Sequence, residues 1–172
     1  MKSLISTFLL VSFLGVNLFA QDTEHEEKKH LITGALGYTY IPQGASEHSD
    51  AADGVFIPSI GLDYFYSISH RWEIGIMTDL ELGEYLVFDK DLNRKNALVV
   101  AGIAAFALTK HINVFAGGGM EFEKEHNLAV IRVGTEYAFN LKKEWIIAPG
   151  IFFDFKEGID TWSLSVAFGK EF

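Results

Sequence analysis

The stretch that most constrains the fold is 161–172, TWSLSVAFGKEF. Taken alternately, Trp162, Leu164, Val166, Phe168 and Phe172 fall on one side, with Lys170 the only charge among them. Thr161, Ser163, Ser165, Ala167, Gly169 and Glu171 fall on the other, and all but Glu171 are small. Successive side chains of a strand point to opposite faces, so this alternation predicts a β-strand. Its bulk is on the wrong side for a strand that faces water, because a solvent face ordinarily collects Lys, Glu and Arg. Both faces are satisfied if the large side chains meet lipid and the small ones crowd into a narrow barrel.

The compartment follows from the other end of the sequence. Residues 1–20, MKSLISTFLLVSFLGVNLFA, set Lys2 before an apolar stretch and close on the small Ala20. That order predicts a secretory signal peptide removed after Ala20. Ser3, Ser6, Thr7, Ser12 and Asn17 flank or interrupt an apolar core too short to span a bilayer, which argues against a membrane anchor. Taking 20 residues from 172 leaves 152, enough for one domain. The formal net charge is −9, and one unit more negative without Lys2, which argues against nucleic acid as a partner. There is no cysteine, hence no disulfide or thiolate chemistry. Apolar residues make up 49% of the chain, yet no apolar run beyond the leader is long enough for a spanning helix. A hydrophobic exported chain of this kind is a soluble sandwich or barrel, or a membrane barrel.

Residues 21–30, QDTEHEEKKH, are charged and aperiodic, and predict a disordered tail. Nothing there fixes His25 or His30 as a ligand, and no two histidines of the chain have metal-ligand spacing; neither a metal nor a cofactor is expected. From 31 to 172 the period is two. Ile32, Leu36, Tyr38 and Tyr40 share the face of a first strand, and Phe56, Ile60, Leu62, Tyr64 and Tyr66 that of a second. Trp72, Ile74, Ile76 and Leu80 mark a third. The fourth, 97–108, reads ALVVAGIAAFAL and is apolar on both faces; its β-branched residues and its place between two clear strands make it a strand. Strands over 112–123, 128–139, 145–155 and 161–172 complete a set of eight. Connections at 69–70, 109–111 and 140–144 are short, and those at 42–53 and 83–95 are long. Pro58 and Pro149 fall inside strands, so each is expected at a bulge or a broken ladder.

An all-β, eight-stranded, antiparallel up-and-down transmembrane β-barrel accounts for this pattern. A lipocalin-like barrel with its apolar faces inward does not, because an eight-stranded interior cannot hold so many aromatics. The alternating C-terminal strand with Phe168 and a terminal Phe172 resembles the assembly signature of bacterial outer-membrane barrels. Lys170 departs from it, at a position where that signature is apolar or aromatic. The whole of 31–172 resembles the small barrels of the OmpA, OmpX and OmpW kind, the porin-like barrel domains of the Gram-negative envelope. The resemblance implies export to the outer membrane, outer-membrane lipids as surroundings, and the barrel assembly machinery and periplasmic chaperones as partners during biogenesis. It also implies a periplasmic tail over 21–30 and a monomer. Short turns would face the periplasm and long loops the outside. Trp72, Trp145, Tyr66, Phe139 and Phe172 would then form the periplasmic aromatic girdle, and Tyr40, Phe56, Phe122, Phe155 and Trp162 the external one.

No catalytic constellation is expected. Glu47, His48 and Ser49 are the nearest approach to the His-x-Ser arrangement of lipid-deacylating barrels, but nothing there orients a base toward a nucleophile. The informative residues are those on the inward face: Asp63, Glu73, Asp79, Glu81, Glu121, Glu123, Glu136 and Asp154, with Arg132 the one clearly internal base. Carboxylates are not buried unpaired, so a hydrogen-bonded polar plug around Arg132 is expected. A hairpin closed over 124–127 would pair Glu123 with Leu128 and Gly119 with Arg132, making Glu121 the nearest partner of Arg132. Glu136, four residues along the same strand, would lie roughly 13 Å away. Such an interior suits a structural or interaction protein working through the loops 42–53 and 83–95. A narrow conduit of the OmpW kind is the alternative, and a lipid-modifying enzyme a further one.

Overall fold

The computed structural model describes residues 28–45, 54–87, 92–124 and 126–172. The signal peptide expected over 1–20, most of the tail expected over 21–30, and Glu47, His48 and Ser49 lie outside the described residues. The segments with a period of two are strands: β1 (His30–Ile41), β2 (Gly44–Ala45), β3 (Val55–Ser67), β4 (Trp72–Glu81), β5 (Glu84–Val87), β6 (Leu92–Lys95), β7 (Leu98–Ala107), β8 (Ile112–Phe122), β9 (Leu128–Tyr137), β10 (Phe139–Asn140), β11 (Trp145–Lys156) and β12 (Thr161–Glu171). The ambiguous segment 97–108 is thus a strand, β7. Eight long strands pair antiparallel in the order β1, β3, β4, β7, β8, β9, β11, β12, and β12 returns to β1 to close the barrel. His30, assigned to the tail by sequence, belongs to β1; its N–H donates to Phe172 O at 3.0 Å, and Phe172 N–H to His30 O at 2.8 Å.

The wall is inside out relative to a water-soluble protein. Leu36, Leu62, Leu164 and Phe56 are 69%, 64%, 65% and 68% exposed, whereas Ala35, Ala148 and Ala167 are buried. Aromatics gather at both ends. At the short-turn end His30 stacks on Phe172 at 5.7 Å and meets Tyr66 at 5.3 Å, Trp145 stacks on Phe168 at 4.8 Å, and Trp72 meets Phe106 at 4.9 Å. Tyr137 and Phe139 add a further pair at 4.7 Å. At the long-loop end Tyr40 meets Phe56 at 4.7 Å, and Phe153 lies between Phe155 and Trp162. Rings that are apolar in body and polar at the tip suit the two membrane–water interfaces.

The prolines divide the expectation. β9 pairs with β11 as far as Glu136↔Gly150, pairing resumes at Phe139↔Ile147, and Pro149 lies opposite the gap. There Pro149 has no N–H to give Tyr137, so the ladder is broken as expected, while on the other side of the strand Ala138 N–H continues the β8 register by donating to His111 O at 2.6 Å. Pro58 needs no bulge: its register with Tyr38 of β1 is continuous, and on the other side, one pair beyond Ser59↔Glu81, its carbonyl still accepts from Leu82 N–H at 2.7 Å. A break does occur between β3 and β4, but farther along. Thr78 Oγ1 accepts from Leu62 N–H at 3.1 Å and donates to Leu62 O at 2.7 Å, while Thr78 N–H donates to Asp63 Oδ1 at 3.0 Å.

The described parts of the long connections contribute strands of their own. β2 from one loop and the β5–β6 hairpin from the other form a second, three-stranded sheet. Tyr85 and Val87 of the loop sheet pack on Ile41, Ile57, Leu128 and Ile159 of the barrel mouth, so the sheet caps that end over an apolar layer.

Candidate functional site in the barrel interior

Strand parity directs one polar set inward, and the structure divides it into clusters at different depths. The deeper one is centred on Arg132 of β9. Its Nε and the Nη2 nitrogen donate to both oxygens of Asp154, at 2.7 and 2.8 Å, and Nη1 donates to Asp79 at 2.5 Å. The guanidinium sits 4.1 Å from the centre of the Phe152 ring, a cation–π contact in a desolvated place. Asp63 adjoins this cluster, accepting from Thr33 Oγ1 at 3.1 Å and from Thr78 N–H.

Toward the cap lies the second cluster. Lys156 Nζ bonds Glu81 at 3.1 Å and Glu121 at 2.5 Å. The other oxygen of Glu121 accepts from Arg94 of β6, whose Nη1 also donates to His126 O at 2.5 Å and lies 3.8 Å from Glu123. Tyr85 of β5 donates its hydroxyl to Glu81 at 3.0 Å. Arg94, Arg132, Lys156, Glu81 and Glu121 are all 2% exposed or less. Charges so deeply buried require partners of opposite sign, and each has one.

Two sequence expectations are corrected here. Glu121 is not the partner of Arg132. The β8–β9 register is Glu121↔Leu128 and Gly117↔Arg132, two residues from the expected one, because Asn127 Oδ1 caps Glu123 N–H and the connection takes up more chain. That shift carries Glu121 about 7 Å farther from Arg132 along the wall. On the other side of β9 the cross-strand pair is Arg132↔Asp154, and this supplies the bidentate partner. Nor is Arg132 the one internal base: Arg94 and Lys156 share the interior. Lys156 was in reach of parity, being two positions beyond the inward Asp154; Arg94 lies in a segment with no period to read.

Glu136 and Glu73 are inward but belong elsewhere. Glu136 accepts from Asn113 at 3.0 Å and Glu73 from Ser67 Oγ at 3.0 Å, both near the short turns. Between them and Arg132 lies an apolar layer of Phe65, Met77, Ile103, Phe115 and Phe152. Phe115 and Phe152 fold over Gly134, where a Cβ would meet their atoms at 2.5 and 2.6 Å. The polar clusters are therefore shut below by this layer and above by the cap. A residual cavity of about 20 Å³ beside Asp63, Thr33 and Ala148 has room for one water. A larger depression of about 840 Å³, with Ala104, Ala116 and Thr135 along it, is on the outer wall and belongs to the lipid-facing surface. Among the described residues no group of three or more His, Asp or Glu side chains could hold a metal ion.

No protein-family model and no curated protein matches the sequence. Solved structures do match. Neisserial surface protein A aligns with 83% of this chain and 97% of its own, at a TM-score of 0.53 and 8% identity. Ail, the attachment invasion locus protein of Yersinia pestis, solved with the heparin analogue sucrose octasulfate, aligns over 84% and 99%, at 0.50 and 9%. The fold is that of the small eight-stranded outer-membrane barrels. At such low identity the likeness is one of architecture, and this chain's interior must be read from its own residues.

Proposed function

We propose that the chain is an integral outer-membrane barrel with a structural or interaction role, and neither a channel nor an enzyme. The filled interior carries this reading: two ion-paired clusters held between an apolar layer and an apolar cap leave a cavity of about 20 Å³. An eight-stranded barrel has room for side chains or one small ligand, and here side chains take that room. Export through cleavage after Ala20 and residence in the outer membrane as a monomer complete the reading. Phe168 and Phe172 would serve as the signal to the assembly machinery and periplasmic chaperones. The two neighbours, a surface protein and an attachment invasion protein, agree with a role at the cell surface. Reconstitution in planar bilayers tests it: the expected trace has no discrete openings, whereas steady unitary conductance favours the narrow-conduit alternative. An altered lipid A profile in cells producing the protein would favour the enzyme.

A further inference from the structure

The feature left over from the sequence is Lys170, a cation where an assembly signature is apolar. It is exposed on the outward face, opposite Trp145 of β11. It has company. The barrel has four junctions at this end, one after every second strand, and each carries exposed cations: Lys28, Lys29 and Lys170 where β1 meets β12, Arg71 between β3 and β4, Lys110 between β7 and β8, and Lys142 with Lys143 before β11. Half of the 14 lysines and arginines of a chain with net charge −9 therefore lie on one rim, where the acidic neighbours include Glu144, ion-paired with Lys28, and the half-buried Glu171. The opposite end has exposed Lys95 and Lys124, accompanied by Glu84, Glu123, Glu157 and Asp160.

The ring is built in place. Lys29 O accepts from Ser67 N–H at 2.8 Å and Arg71 O from Ala107 N–H at 2.9 Å, which pins both backbones to neighbouring strands. Lys143 and Glu144 hold φ at 60° and 62°, the left-handed region that side chains with a Cβ disfavour, so the turn bearing two lysines keeps a costly conformation. The cations share their level with Trp72, Trp145, Phe139 and Phe172, the aromatic belt that marks the membrane–water interface. Side chains there extend stems along apolar surface and place their charge at the headgroups.

We infer that this rim is a binding surface for anionic phospholipid headgroups of the leaflet at the short-turn end, with Lys142, Lys143 and Lys170 among its contacts. The inference rests on the membrane reading above. A ring encircling the barrel at headgroup depth meets lipid on every side, as a docking patch for one soluble partner would not. Each engaged cation near an anionic surface favours association by about fivefold at moderate salt.

The test uses the full mature chain in vesicles of phosphatidylcholine alone and of phosphatidylcholine with phosphatidylglycerol, with insertion verified in both by heat-modifiable migration. Electron spin resonance then compares spin-labelled phosphatidylglycerol and phosphatidylcholine at the protein surface. The expected preference for the anionic label is roughly three- to fivefold. It should fall toward unity in the triple variant K142Q/K143Q/K170Q and in high salt, and persist in K95Q/K124Q. An inserted barrel that restricts both labels equally, or loses its preference in K95Q/K124Q alone, overturns the inference and leaves the barrel reading standing. So does an acidic polypeptide that binds the rim of a barrel without lipid preference. Failure to insert in either vesicle overturns the membrane reading instead.

Discussion

Replacing Arg132 with methionine keeps most of the side-chain length and removes three charge-assisted hydrogen bonds, two to Asp154 and one to Asp79. Both carboxylates would stay in an interior where Arg132 itself is 1% exposed, with Lys156 and Arg94 already engaged by Glu81 and Glu121. Breaking a buried pair from one side costs on the order of 3–5 kcal/mol, because the surviving charge keeps its desolvation penalty. With a urea dependence of about 2 kcal/mol per molar, the unfolding midpoint should drop by roughly 2 M. Tryptophan fluorescence of the barrel in vesicles, titrated with urea, measures this. The decisive comparison is between two second mutations. Asp154→Asn removes a carboxylate that Arg132 contacts, so the Arg132/Asp154 cycle should give a coupling of about 1–3 kcal/mol. Glu121→Gln touches the other cluster, so the Arg132/Glu121 cycle should be additive within about 0.5 kcal/mol. A wild-type midpoint for Arg132→Met, or stronger coupling to Glu121 than to Asp154, would refute the division of the interior into two clusters.

Further outcomes follow from other parts of the barrel. Arg94→Ala should loosen the cap, seen as faster amide exchange over β5 and β6, and Arg94→Lys should restore it only partly because lysine cannot form the two-pronged contact. Gly117→Ala and Gly119→Ala should each destabilise by about 1–3 kcal/mol, since the added Cβ would meet a backbone carbonyl at 1.9 Å; Gly102→Ala and Gly118→Ala, with nearest atoms at 3.8 and 3.4 Å, should unfold near the wild-type midpoint. Deleting Phe172 removes both its backbone bonds to His30 and the terminal aromatic, so membrane insertion should fall while export persists, measured by fractionation and heat-modifiable migration.

The wall was legible because each barrel strand obeys one constraint, lipid outside and narrow space inside, and that constraint writes a period of two. Even β7, apolar on both faces, sets the bulkier Leu98 and Phe106 outward and keeps Val99 and Ile103 inside among Ala97, Ala101 and Ala105. Register was less legible. In the β8–β9 hairpin the side chain of Asn127 substitutes for a backbone partner, and no alternation reports that. The candidate site was half visible. Eight inward carboxylates against one base were a charge imbalance that called for more cations, and parity pointed to Lys156. Arg94 reaches the interior through pairing between two loops distant in sequence, which no local pattern records.

The seam between β1 and β12 has a consequence for how the barrel is made. Other ladders of the wall join strands that follow one another in the chain, but this one joins the first to the last, over ten residue pairs. Thr39 and Ser163, whose hydroxyls meet at 2.9 Å across it, are 124 residues apart. Loop-closure entropy makes contacts of that separation late and slow to form. Until β12 has been synthesised and delivered, β1 presents an unpaired edge beside apolar side chains, a template for pairing with other chains. The hazard is therefore kinetic and ends with a single event, the zipping of the seam.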